Sequence, residues 1–144
     1  MKRFLLTGLA ACMAAAPAMA DITVAHVYGR TGPLEAYAAQ SHTGLMLGIE
    51  YATGGTFEVN GEPIVVNEYD TQLDPAIGRA MLAQAFGDDD ADIAVGPVSS
   101  GVALAMLPIA EEYERILIVE PAVADSITGE AWNRYIFRTG RNSS

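Results

Sequence analysis

Apolar residues along this chain follow two alternating rhythms, short β-rich runs and longer stretches of helical spacing. Ile22-Thr23-Val24-Ala25-His26-Val27-Tyr28 is the first β-rich run; it stops at Gly29, and the turn cluster Arg30-Thr31-Gly32-Pro33 follows at once. From Glu35 to Ala52 the apolar positions Tyr37, Leu45, Leu47, Ile49 and Tyr51 spread over about five helical turns before Gly54-Gly55 ends the run. This predicts a helix, which Gly44 and Gly48 weaken. Phe57-Glu58-Val59 and Pro63-Ile64-Val65-Val66 flank Asn60-Gly61, the dipeptide that most favours a two-residue hairpin turn. The second strand is therefore expected to enter through a small surface hairpin and to end near Tyr69-Asp70.

Asp74-Pro75 predicts a capped helix start, with Asp74 as N-cap and Pro75 at the first helical position, and the helix runs to about Phe86. Asp88-Asp89-Asp90 reads as a solvated connection, and Ile93-Ala94-Val95 as a short strand that stops at Gly96-Pro97. A third helix is expected from about Gly101 to Tyr113, with Ser99 or Ser100 placed to cap it. Ile116-Leu117-Ile118-Val119 is an unbroken aliphatic run, as expected of a strand buried on both faces, and Pro121 ends it. After a loop from Ala122 to Glu130, Tyr135-Ile136-Phe137-Arg138 makes one more strand. The order β-α-β-α-β-α-β-β predicts an α/β fold: a doubly wound, mostly parallel sheet with helices on both faces.

Ahead of Ile22 the pattern changes. Met1-Lys2-Arg3 is a positive start, Phe4 to Ala16 is mostly apolar, and Ala18-Met19-Ala20 is an A-x-A site before Asp21, so residues 1–20 read as a cleavable secretory leader. Leu9-Ala10-Ala11-Cys12 leaves a second processing open, a lipobox with a lipid anchor on Cys12. No later run approaches the roughly 20 apolar residues of a membrane helix. Cys12 is the sole cysteine, so a chain starting at Asp21 carries neither a disulfide framework nor thiol chemistry. Removing the leader leaves six basic residues against eighteen acidic ones, a net of −12. Nucleic acid and anionic membrane surfaces need a basic footprint, which this balance argues against.

In open α/β sheets ligands lie beyond the carboxyl ends of the strands near the switch point, here the loops after Tyr28, Val95 and Val119. Gly96-Pro97-Val98-Ser99-Ser100-Gly101 leaves a strand and opens a helix, directing two hydroxyls and several backbone N–H groups to one spot ahead of a helix dipole. A carboxylate would be stabilised there; the same serines equally suit plain helix capping. Neither serine fits G-x-S-x-G. His26, in a predicted strand, reads as a packed residue and His42 as a solvated one. Two isolated histidines give no metal-ligand spacing, Asp88 to Asp90 lacks the alternation of a calcium loop, and Gly29-x-x-Gly32 is no dinucleotide fingerprint. The residues call for no cofactor, no metal and no catalytic group.

Gly32-Pro33 after the first strand, Tyr37 early in the first helix, Gly54-Gly55 after it, Tyr69-Asp70, Gly96 to Gly101 and Pro121-Ala122 occur in an order that resembles the type I periplasmic solute-binding proteins of ABC transporters. The branched-chain amino acid and amide, or leucine-binding protein-like, group is the nearest. The resemblance runs from Ile22 to the end and is most specific from Gly96 to Ala124. It implies a two-lobed protein, monomeric when complete, of which residues 21–144 form the N-terminal lobe, the second lobe lying outside this sequence. It implies that Ser100, with nearby backbone N–H groups, holds a ligand carboxylate, that Ala122 offers its carbonyl to a ligand ammonium, that Tyr37 lines the pocket, and that Ser99, the neighbour of Ser100 in the turn, contributes through backbone contacts.

At Ala124, where amino-acid binders of the family commonly carry a hydroxyl, this chain departs from the pattern, which weakens the case for an α-amino acid. Glu120 is open to two readings, as a replacement partner for a cation or as a solvent-facing residue on the other face. Trp132 and Tyr135 are open between pocket and core. The expected function is capture of a small carboxylate-bearing solute (amino acid, amide or aromatic acid) in the periplasm, with delivery to an ABC permease. The alternative is an exported ligand-sensing module of a receptor using the same fold.

Overall fold

Alternating side-chain direction along the first strand, which is buried on both faces from Val24 to Tyr28, sets up the two faces of the sheet. The computed structural model describes residues 20–144, so the predicted leader, apart from Ala20, and Cys12 lie outside the described residues. Within β1 (Ile22–Tyr28), Ala25 and Val27 point into the main core while His26 turns to the opposite face. Strands β2 (Glu58–Val59), β3 (Glu62–Asp70), β4 (Ile93–Val95), β5 (Ile116–Val119) and β6 (Ile136–Arg138) complete a six-stranded sheet in the order β2-β3-β1-β4-β5-β6. Only the β2–β3 pair is antiparallel. Its turn carries Asn60 and Gly61 at φ 54° and 87°, the left-handed pair a tight hairpin needs.

Three helices cross between the parallel strands: α1 (Glu35–Ala52), α2 (Pro75–Gly87) and α3 (Ser100–Glu112). Each lies within one residue of its expected position. The Asp74 side chain caps α2, accepting from the N–H of Ala76 (2.7 Å) and of Ile77 (3.0 Å). Helices α2 and α3 pack on each other and on one sheet face, burying Leu82, Phe86, Val102, Met106 and Leu107 with Leu117, Val119 and Ile136. The helix pair approaches closely at Gly78, where a Cβ would meet Val102 Cγ1 at 2.3 Å.

The other face is covered differently. Helix α1 buries fully only Ala38 among its 18 residues. Between its Tyr37, Ser41, Leu45 and Ile49 and, opposite, Val95 and Ile118 of the sheet with Glu120 just past β5 lies a cavity of about 890 Å³. Ile116 and Phe137 are exposed on β5 and β6, out of phase with the core-facing Leu117 and Ile136. The unbroken aliphatic run of β5 thus has one face packed and one open, short of the double burial the sequence predicts.

Candidate functional site

β1 sits between β3 and β4 in the sheet, so the connections after β1 and β4 leave toward opposite faces and open a crevice at the carboxyl edge. The loop after β1 is tied down by Asp70, which ends β3. Asp70 accepts from the Thr31 hydroxyl (2.8 Å), the Thr31 N–H (3.3 Å) and the Gln72 N–H (2.9 Å). Desolvation works to raise the Asp70 pKa, but these hydrogen bonds outweigh it and hold the carboxyl below its ordinary value. Across the crevice, β4 ends at Gly96, whose φ of 124° places its Cα against the β1 backbone; a Cβ there would meet Val27 O at 2.0 Å. Glycine is required at this point by both conformation and space.

From Gly96 the chain turns through a cis bond to Pro97 and reaches Ser99, the N-cap of α3. The Ser99 hydroxyl makes no capping bond. Ala103 donates to Ser99 O at 2.9 Å, so the N–H groups of Ser100, Gly101 and Val102 precede that first bond of the helix ladder and point out of its positive end. Ser100 is committed elsewhere. Its Oγ accepts from the N–H of Val123 (3.2 Å) and of Ala124 (3.1 Å), pinning the loop after β5 onto the start of α3. Ala122 N–H donates to Pro97 O at 3.3 Å, a second tie between the two loops.

A hydroxyl has two lone pairs and one hydrogen, and both Ser100 lone pairs are taken by these amides. Toward a ligand, Ser100 can therefore act only as a donor. The same loop is gripped from behind by Arg138 of β6, whose Nη1 donates to the carbonyls of Ala124 (2.8 Å) and Val123 (3.4 Å). Nothing in the local sequence marks Arg138 for this task; it arises from β6 lying next to β5, so the pairing of Val119 with Arg138 carries the signal.

Ser99, Ser100, Ala122 and Ala124 are thus brought together. Ala122 is buried and Ala124 is half-buried against the core. Tyr37 is 62 % exposed and lines the cavity under α1, sharing it with Glu120 and Pro121, the residues before Ala122. Glu120 faces this cavity, its Oε2 accepting from the Thr139 hydroxyl at 2.7 Å. Trp132 fits neither reading: it lies half-exposed on the surface with its indole N–H donating to Ile136 O, because a bulky ring beside β6 gains an acceptor there without entering the core. Tyr135 packs at the core margin. His26 is packed as expected, fully buried. His42 is not simply solvated; it turns inward, its Nδ1 3.2 Å from that of His26.

A doubly wound sheet with a helix N-terminus and three loops gathered at its carboxyl edge defines a ligand-binding lobe of the type I periplasmic binding protein kind. Residues 21–144 match the family model described as "Periplasmic binding protein", and the chain belongs to that family. Among solved structures, an ABC-type branched-chain amino acid transporter protein from Rhodopseudomonas palustris is 63 % identical with a TM-score of 0.84, over 85 % of this chain and 33 % of that one. A second, the solute-binding protein of an R. palustris ABC transporter in complex with benzoate, is 27 % identical with a TM-score of 0.77, over 85 % and 33 %. The Leu/Ile/Val-binding protein BraC3 of Rhizobium johnstonii is 30 % identical over 137 residues, 93 % of this chain and 36 % of the relative. The chain spans about a third of the length of these relatives.

Proposed function

We propose that this chain supplies one lobe of the substrate-binding component of an ABC importer, which captures a small carboxylate-bearing solute outside the cytoplasmic membrane and delivers it to a permease. The observation that carries this reading is the state of Ser100. With both lone pairs held by Val123 and Ala124, its hydroxyl offers only a hydrogen, beside the outward N–H groups of α3. Donors alone at a positive helix end select an anion or a carbonyl oxygen.

Tyr37 forms an aromatic wall, and the carbonyl of Ala122 is the acceptor for a ligand ammonium where one is present. Ala124 brings no hydroxyl to that ammonium. An aromatic or aliphatic acid therefore fits this edge better than an α-amino acid. The relative solved with benzoate supports that class of ligand, and the one named for Leu/Ile/Val binding supports the wider class of small carboxylate-bearing solutes. Residues 1–20 act as the export leader in this reading, residues 21–144 as the lobe, and no bond-making chemistry is performed. The open apolar face of β5 and β6 and the cavity under α1 call for cover by further polypeptide, as in a protein three times this length.

The test is calorimetry on a version extended to the length of its relatives, titrated with leucine, benzoate and 4-hydroxybenzoate. Saturable binding of at least one acid, lost in Ser100→Ala but not in Ser99→Ala, is the expected result. Binding of an uncharged amide as tight as that of its acid would refute the carboxylate assignment.

A further inference from the structure

Helix α1 and strand β1 meet through two histidines that the proposed ligand edge does not use. His26 is fully buried, and its ring stacks on Tyr28 (centroids 4.0 Å, planes 10° apart) and beside His42 (5.3 Å, 18°). Nδ1 of His26 and Nδ1 of His42 are 3.2 Å apart. Few charges face the pair. From β3 comes Glu68, whose Oε1 is 4.0 Å from His42 Nε2 and whose Oε2 accepts from the Tyr28 hydroxyl of β1. From the loop after β1 comes Arg30, 4.0 Å from that Oε2, while β4 places only the uncharged Val95 opposite His26.

Two ring nitrogens at this distance share one hydrogen, so one ring donates and the other accepts. Nε2 of His26 is buried and has no partner among the described residues. A hydrogen there would be a buried donor without an acceptor, so His26 keeps its hydrogen on Nδ1 and donates it. His42 then accepts at Nδ1 and carries its own hydrogen on Nε2, the side facing Glu68. A proton added to His42 can go only to Nδ1, which sets two donors face to face. Moving the His26 hydrogen to Nε2 relieves that clash but orphans a buried N–H. Burial also pushes the His26 pKa down to about 4; His42 acts in the same direction and Glu68 against it.

Little else fastens this helix, since Ala38, one turn before His42, is the only residue of α1 that is fully buried. We propose that the His26–His42 pair is an acid-operated latch: neutral, it holds α1 on β1, and a proton on the pair releases the helix while the α2–α3 layer stays packed. The release would carry Tyr37 away from the carboxyl edge.

Hydrogen exchange of the 144-residue chain at pH 7.5 and pH 5, corrected for the intrinsic rate, tests this directly. Amides of α1 are expected to open about tenfold more at the lower pH, through an opening that leaves α2 and α3 far better protected than α1. Two variants break the pair: His26→Phe keeps a stacked ring without the buried imidazole, and His42→Gln changes a half-exposed position and so tolerates substitution where His26 does not. Loss of the α1 step in His26→Phe or, where that variant does not fold, its reduction in His42→Gln supports the latch. Equal opening of all three helices in the parent chain, or an unchanged step in the variant that decides, overturns it.

Discussion

Replacing Ser100 by alanine removes one oxygen and strands two amides. The Val123 and Ala124 N–H groups both end on Ser100 Oγ, at 3.2 and 3.1 Å, and both residues are half-buried. A buried donor left without an acceptor costs about 1–3 kcal/mol, and water reaching half-buried groups moves each toward the lower end. The expected loss is therefore about 2 kcal/mol. For a domain of this size that is a fall in Tm of roughly 6–10 °C. Urea unfolding followed by circular dichroism gives the free energy, with Ser99→Ala as the internal control. Ser99 occupies the N-cap but makes no capping bond through its hydroxyl, so its removal should cost under about 0.5 kcal/mol. Equal losses in the two variants would refute the assignment of the loop contact to Ser100. A normal midpoint with a changed slope in Ser100→Ala would instead place the effect in the unfolded state.

Three further outcomes follow from the same geometry. The His26 pKa drops from 6.5 to about 4 on folding, so the unfolded chain binds the extra proton between those values. Stability is full above pH 6.5 and declines by about 3 kcal/mol as pH falls to 4, a slope that urea midpoints in His26→Phe should flatten. Gly78→Ala forces a methyl into Val102 Cγ1 at 2.3 Å and should cost about 1–3 kcal/mol; Val102→Ala in the same chain should recover part of it, read as a double-mutant cycle. Asp74→Ala removes the acceptor for two N–H groups at the start of α2 and should cost about 1 kcal/mol by urea unfolding.

The chain's local chemistry was enough to fix its elements. Asn60-Gly61, Asp74-Pro75 and Gly96-Pro97 each satisfy a backbone requirement within a few residues, and the structure has a hairpin, a capped helix and a strand end at those three places. The turn Gly96 to Gly101 was recognisable for the same reason, because a glycine, a proline and two serines between a strand and a helix have few local solutions. What the residues around a serine do not encode is which partner its oxygen meets. Ser100 was expected, from the resemblance, to hold a ligand carboxylate; that its lone pairs are held by a loop 23 and 24 residues away is not visible in the residues around it. Arg138 and His42 were invisible as working residues because their contacts depend on strand order and helix placement. The sequence by itself determined the β/α order, the turn chemistry and the gathering of hydroxyl and N–H donors at one edge, since all are short-range properties. Only the tertiary structure decided which donors remain at that edge, that Glu120 and Tyr37 share a cavity, and that α1 rests on a histidine pair. Those are pairings between residues distant in the chain, and only the packed sheet brings them together.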